Sequence, residues 1–234
     1  LKARYLSDTL VVNMPARTKT YQHFCPIARS LEVIGEKWSL LIVRDLLGGP
    51  QRFTDLLRGL NSLTPKWLTL RLRDLEAAGV VERIAEEGKR EVWYQLTPTG
   101  KELGPVISSL NAWGIRHAIR PLEPGEQVRP GALVRSFHAY LVSERIRPAA
   151  PATWQLRFGG ESDFVLTFDG RRWSYAPGSA EADVTVETTP EAWATMLATH
   201  ELGPPVSITG SPGRVEELRA ILLALLGNPV PSLT

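Results

Sequence analysis

The stretch "NSLTPKWLTLRLRDLEAAGVVERIAEEGKREVWYQLTPTG", residues 61–100, constrains the fold more tightly than any other part of the chain. A helix with its own start and stop runs straight into two extended segments. Thr64 suits an N-cap, Pro65 suits the first helical turn, where its missing N–H costs nothing, and Gly79 suits a left-handed stop. Between these marks Leu68, Leu72 and Leu75 fall within about 60° of one another at roughly 100° per residue, which makes one buried stripe. Lys66, Thr69, Leu70 and Arg73 face the other way, and Arg71 stands at the border. Residues 80–86 and 91–96 then read as strands joined by a tip that contains Gly88, Lys89 and Arg90.

Upstream, "PIARSLEVIG" places Ile27, Leu31 and Ile34 at helical spacing, with Pro26 at its start and Gly35 at its end. "KWSLLIVRDLLGG" and "RFTDLLRGL" follow as two further apolar helices, the latter turning Phe53, Leu56, Leu57 and Leu60 inward. Helices closed by a basic-tipped hairpin predict a winged helix-turn-helix. In that arrangement the leucine stripe holds the fourth helix proud of the core so that it enters the major groove, while the hairpin tip lies on the backbone or in the minor groove. Leu70 would then pack on a thymine methyl, Lys66 and Arg73 would reach phosphates or guanine edges, and Arg71 would contact phosphate. Arg52, Thr64, Thr69, Lys89 and Arg90 complete the expected DNA contacts, although Glu86 and Glu87 oppose phosphate unless they point outward. The plainer alternatives are a solvated charged face or a winged helix used only for protein contact.

Charge distribution agrees with a basic first half. The net charge of +2 is small, but residues 1–124 hold 18 Lys and Arg against 13 Asp and Glu, a net +5, while the remainder hold 9 against 12, a net −3. The single Cys25 excludes an intramolecular disulfide framework. No apolar run has the length of a membrane span or a signal-peptide core, so a cytoplasmic protein is expected. Residues 1–22 show no periodicity and read as a poorly ordered arm; "LKARYLSDTLVVN", ahead of Met14, is a tag remnant, an alternative start or a real arm.

The motifs "CPIARSLEVIGEKWSLLIVRDLLGGPQRFTDLLRGL", "LRDLEAAGVVER" and "YQLTPTGKEL" together resemble the HxlR family of bacterial transcriptional regulators over residues 23–120. The resemblance implies homodimeric winged-helix proteins that bind palindromic operators, with repression favoured over activation here. Trp67 is bulky for its place in the recognition helix. "TPTGKELGPVISSLNAWGIRH" reads as one long helix with Leu103, Ile107, Leu110 and Trp113 along one side. This stripe, with Ile27 and Leu31 of the first helix, is expected at the dimer interface; the alternative is a bridge to the C-terminal domain.

Cys25 precedes Pro26 at a helix N-terminus, where the helix dipole favours thiolate, and the family resemblance makes an oxidant sensor one reading. The other is a small buried residue that packs the first helix. His23, His117, His138 and His200 lack metal-ligand spacing, and no nucleophile elbow, phosphate loop or carboxylate pair is found. No metal, no cofactor and no enzymatic activity are expected.

The Pro-rich residues 121–130 read as a linker, followed by a helix over 131–143. "TWQLRFGG", "DFVLTFDG", "RRWSYAPG" and "ADVTVETT" then alternate with period 2 and predict an antiparallel meander with one covered face. Two helices, "PEAWATMLATH" and "GRVEELRAILLALLG", flank a short strand "VSITG", which gives an α+β class with helices on one side of the sheet. "ADVTVETTPEAWATML" and "VSITGSPGRVEELRAIL" make residues 131–228 similar to the sterol-carrier-protein-2 (SCP2) domain, leaving a tail at 229–234. That resemblance implies an apolar small molecule held between sheet and helices, with Trp154, Phe164, Phe168, Trp173, Trp193, Met196 and Leu222 as lining; the alternative is that they simply fill the core. The expected function is a dimeric DNA-binding regulator with a ligand-modulated C-terminal domain. The competing expectation is an apolar-ligand binding protein whose winged helix docks to a protein partner.

Overall fold

The computed structural model describes residues 20–60, 62–85, 91–160 and 162–227. Most of the expected N-terminal arm, the wing tip with Lys89 and Arg90, and the expected tail lie outside the described residues. The chain divides into two compact units, one through Gly104 and one from Pro105.

The first unit is built from α1 (Pro26–Ile34), α2 (Ser39–Leu46), β1 (Gln51–Arg52), α3 (Phe53–Gly59), α4 (Pro65–Ala77), β2 (Val81–Ala85), β3 (Val92–Leu96) and the short α5 (Pro98–Lys101). The expected capping signals of α4 are realised. The Thr64 hydroxyl accepts from the Trp67 N–H at 3.4 Å, Pro65 opens the helix, and Gly79 has a φ of +68°. Leu68, Leu72 and Leu75 are fully buried with Ile42, Val43, Leu46 and Leu56, so α2, α3 and α4 share one core. β2 and β3 pair antiparallel from Val81↔Leu96 to Ala85↔Val92. An unexpected strand, β1, adds Gln51 and Arg52 to the free side of β3. Two residues are too short a run for alternation to register.

The hairpin is tied back to α4 at its base. The Thr97 hydroxyl donates to the Gly79 carbonyl at 2.6 Å and accepts from the Gly100 N–H at 3.0 Å. Gly100 is needed there, because a Cβ on it would stand 2.0 Å from the Val80 carbonyl oxygen. The expected single long helix over 97–117 is corrected: α5 stops at Lys101, and α6 (Gly104–His117) begins afresh. Pro105 supplies the reason, having no N–H to continue the ladder and a ring that clashes with the preceding turn.

The second unit contains α6, α7 (Pro130–Ser143), β4 (Ala152–Arg157), β5 (Asp163–Phe168), β6 (Trp173–Pro177), β7 (Val184–Glu187), α8 (Pro190–Thr199), β8 (Ser207–Gly210) and α9 (Pro212–Leu225). The sheet order is β6-β5-β4-β7-β8. The expected all-antiparallel sheet is therefore corrected: β7 runs parallel to β4, in the register Trp154↔Val184 to Arg157↔Glu187. Period-2 alternation reports which face a residue takes but not which strand it sits beside. What carries the chain across β4 is Gln155, a fully buried residue on the face away from the helices. Its side chain donates to the carbonyls of Phe164 (3.2 Å) and Gly178 (3.3 Å) and accepts from the Ala180 N–H (2.9 Å). Asp183 then accepts from the Thr153 N–H at 2.7 Å, which sets β7 down on the far side of β4. On the other face, Trp154, Leu156, Leu166, Phe168, Val184 and Val186 pack beneath α7, α8 and α9. The architecture is α+β: a winged helix-turn-helix unit followed by a mixed sheet with these helices on one side.

Candidate nucleic-acid interface

The outward face of α4 carries Lys66, Leu70 and Arg73, all exposed, with Leu70 at 42%. Trp67 beside them is 52% exposed. Among the described residues neither Lys66 nor Arg73 makes an ion pair, whereas Arg44, Arg52, Arg58 and Arg71 each meet a carboxylate. Two uncompensated cations flank a leucine that gains nothing from water, on a helix whose opposite face is locked in the core. Thr69 is half-buried and its hydroxyl donates to the Pro65 carbonyl at 2.9 Å, while Thr64 is occupied by the cap.

Arg71 departs from the sequence expectation. It is only 7% exposed, and its guanidinium lies 3.1 Å from Asp74 and 3.5 Å from Glu36. Its charge is already matched by two carboxylates, so the structure turns it away from the expected phosphate contact. Helical periodicity left Arg71 at the border, and Glu36, far away in sequence, decides the side. Arg52 is also held: it pairs with Glu91 at 2.9 Å and lies 4.7 Å over the Trp93 ring, which fixes it on the sheet beside β3.

Arg83, which the sequence reading did not select, belongs to the same surface. It is exposed on β2 opposite Tyr94, and both Arg83 and Arg73 act on that phenol. Burial and then the Glu76 carboxylate raise the Tyr94 pKa above its ordinary value, and these two arginines oppose the rise. Only the strand register brings Arg83 near α4, so spacing along the chain could not have found it.

Residues 33–121 match the HxlR-like helix-turn-helix family model. The uncharacterized HTH-type transcriptional regulator sll1512 of Synechocystis is 39% identical over 93 residues, which are 39% of this chain and 69% of that protein. The chain belongs to the HxlR-like helix-turn-helix family. The uncharacterized HTH-type transcriptional regulator YybR of Bacillus subtilis is 37% identical over 38% of this chain and 73% of its own length. Among solved structures, the redox regulator HypR in its reduced form is 36% identical over 38% of this chain and 90% of that one, with a TM-score of 0.37.

The HxlR-like match ends within the Pro-rich segment that follows α6, yet α6 packs as part of the second unit. Ile115 enters that unit's core, the Asn111 side-chain N–H donates to the Ser136 carbonyl at 2.9 Å, and the Ser136 hydroxyl donates to the Asn111 carbonyl oxygen. Of the residues expected at a dimer interface, Ile107 is buried and Leu103 half-buried, while Leu110 and Trp113 are exposed on α6 and Ile27 and Leu31 on α1. Val106, Leu110 and Trp113 span about 60° of the helix, so the exposed apolar residues form a stripe. The inward face of α6 thus packs within the second unit, where Asn111 meets Ser136 of α7, and the outward stripe is exposed.

Cys25 is partly exposed at the N-cap of α1, and its side chain makes no capping hydrogen bond. The seven aromatic and aliphatic residues expected to line an apolar pocket lie together in the second unit, packed on one another. Trp154 and Trp173 have ring centroids 4.5 Å apart, Phe168 and Trp173 5.2 Å, and Phe137 and Trp193 5.5 Å. The Trp154 indole N–H is buried and meets no acceptor among the described residues. An open surface pocket of about 460 Å³ lies at the turn end of β4 and β5, lined by Arg157, Gly159, Gly160, Asp163, Glu187 and Thr188. Among the described residues no three His, Cys, Asp or Glu side chains form a metal-binding group, and no helix is long and apolar enough to cross a membrane.

Proposed function

We propose that the chain is a sequence-specific, DNA-binding transcriptional regulator that acts as a homodimer on a palindromic operator and represses. The observation that carries the reading is the outer face of α4, where Lys66 and Arg73 stand without carboxylate partners among the described residues on either side of Leu70. Its setting supports it, since relatives such as sll1512 and YybR are named HTH-type transcriptional regulators. Repression follows as the simplest output, because a dimer seated on promoter DNA excludes other proteins without contacting them. The dimer is supported by the apolar stripe of Val106, Leu110 and Trp113 and by exposed Ile27 and Leu31, which a second copy would cover.

In this reading the SCP2-like second unit is the effector domain, and its effector is an apolar small molecule that carries a hydrogen-bond acceptor. The buried, unmatched Trp154 N–H favours it, since such a donor is costly to leave unpaired. The effector acts by binding one arrangement of the two subunits better than the other, which changes the spacing of the two α4 helices and with it operator affinity.

Fluorescence anisotropy tests this on the DNA upstream of the gene against a scrambled duplex, across a salt series and with a panel of apolar molecules. Preference for the native duplex that weakens steeply with salt supports the regulator. No preference for it at any salt concentration favours a winged helix that docks to a protein partner instead.

A further inference from the structure

We infer that Trp67 is a specificity-determining residue that reads a thymine methyl in the major groove, and that Arg71 is the residue that positions it. The inference rests on the DNA-binding reading of α4 and adds to it a contact and a supporting device.

Trp67 lies in the first turn of α4, the part of a recognition helix that approaches base edges. It is 52% exposed, an expensive state for an indole unless a partner covers it. On the helix it sits roughly 60° from Leu70, so the two form one apolar patch beside Lys66. The ring does not hang free. The Arg71 guanidinium stands 5.9 Å from its centroid, within cation–π range, and is anchored by Asp74 at 3.1 Å and Glu36 at 3.5 Å. The Trp67 backbone N–H donates to the Thr64 hydroxyl, which fixes the main chain from which the ring projects. A buried arginine with two carboxylates has no charge to spare for phosphate; what it offers outward is a fixed plane against which the indole rests. In the major groove the apolar feature that distinguishes one base pair from another is the thymine methyl. An apolar patch with this orientation therefore selects T, and the cations beside it supply affinity without selecting.

The test uses the full chain. The wild-type protein selects duplexes from a randomised pool, and each thymine of the selected site is replaced in turn by deoxyuridine, which deletes only the methyl. At one or more positions the replacement is expected to weaken wild-type binding about fourfold, the factor that burying one such carbon gives. Trp67→Ala and Trp67→Ser bind the T and U duplexes equally at that position. Arg71→Met reduces the T-to-U ratio there, while Lys66→Ala lowers affinity for both duplexes and keeps the ratio. Thermal melting of each variant confirms its fold. Trp67 variants that keep the wild-type ratio at every thymine overturn the assignment, as does a ratio lost in Leu70→Ala alone. A wild-type protein that enriches no sequence removes the regulator reading, and this inference with it.

Discussion

Replacing Lys66 and Arg73 together by alanine separates charge available to DNA from charge already spent inside the protein. Neither side chain has an ion-pair partner among the described residues, and both are exposed, so the fold should lose no more than about 0.5 kcal/mol. Each phosphate neutralised contributes about 0.9 to the slope of log K against log salt concentration. A dimer presents two copies of α4, hence four such cations, and the double variant should lose about 3.6 from that slope. Between 50 and 200 mM salt, wild-type affinity should then fall about 150-fold more than the variant's. A single α4 on each duplex would give a loss near 1.8, so the same titration reads the stoichiometry. Arg71→Met is the control: its guanidinium is matched by Asp74 and Glu36, and the slope should stay at the wild-type value. The assay is anisotropy of a labelled operator at five or so salt concentrations. An unchanged slope in the double variant would refute the assignment of these cations to phosphate, and a slope reduced by Arg71→Met would refute the claim that its charge is spent.

Gly100→Ala should destabilise the first unit by about 1–3 kcal/mol in urea titration, since the new Cβ meets the Val80 carbonyl oxygen at 2.0 Å and its carbon at 3.0 Å, both backbone atoms that cannot swing aside. Burial holds the His138 ring below its ordinary pKa while the Trp173 carbonyl at 3.2 Å opposes the shift. His138 therefore contributes stability above pH about 6.5 that is lost as pH falls through its folded value, and urea midpoints should drop between pH 7.5 and 5.5 less steeply in His138→Gln than in wild type. Leu110→Asp and Trp113→Asp, both at exposed positions, should leave the melting temperature of the single chain nearly unchanged while raising the dimer dissociation constant; sedimentation that stays wild-type in both variants removes α6 from the interface.

Several parts of the molecule could be read from sequence because one local signal decided them. The bounds of α4 follow from Thr64, Pro65 and Gly79, and its buried stripe follows from the helical period, neither of which depends on the rest of the chain. Arg71 could not be read that way. A residue at the edge of an apolar stripe goes wherever its partners are, and Glu36 comes from the loop before α2. The neighbour of β7 was missed for a related reason: alternation marks a strand with one covered face, but its place beside β4 is decided by Gln155 and by the link from Gly178 to Asp183. Arg83 needed the pairing with Tyr94 before it could be seen near Arg73 at all.

The helix α6 shows the same limit with a functional consequence. Its sequence offers apolar residues on more than one side, and a single stripe of Leu103, Ile107, Leu110 and Trp113 drawn through them mixes two faces that the structure separates. Ile115 and the Asn111–Ser136 pair bind one face to the C-terminal unit, while Val106, Leu110 and Trp113 remain outside. A helix with its side chains is only about 10–12 Å across. A second copy seated on the outer stripe would therefore lie one helix diameter from the C-terminal core, with no loop between. Close-packed interiors pass on small displacements instead of absorbing them. Any molecule that repacked the core around Ile115 would then reach an interface of that kind through α6 itself.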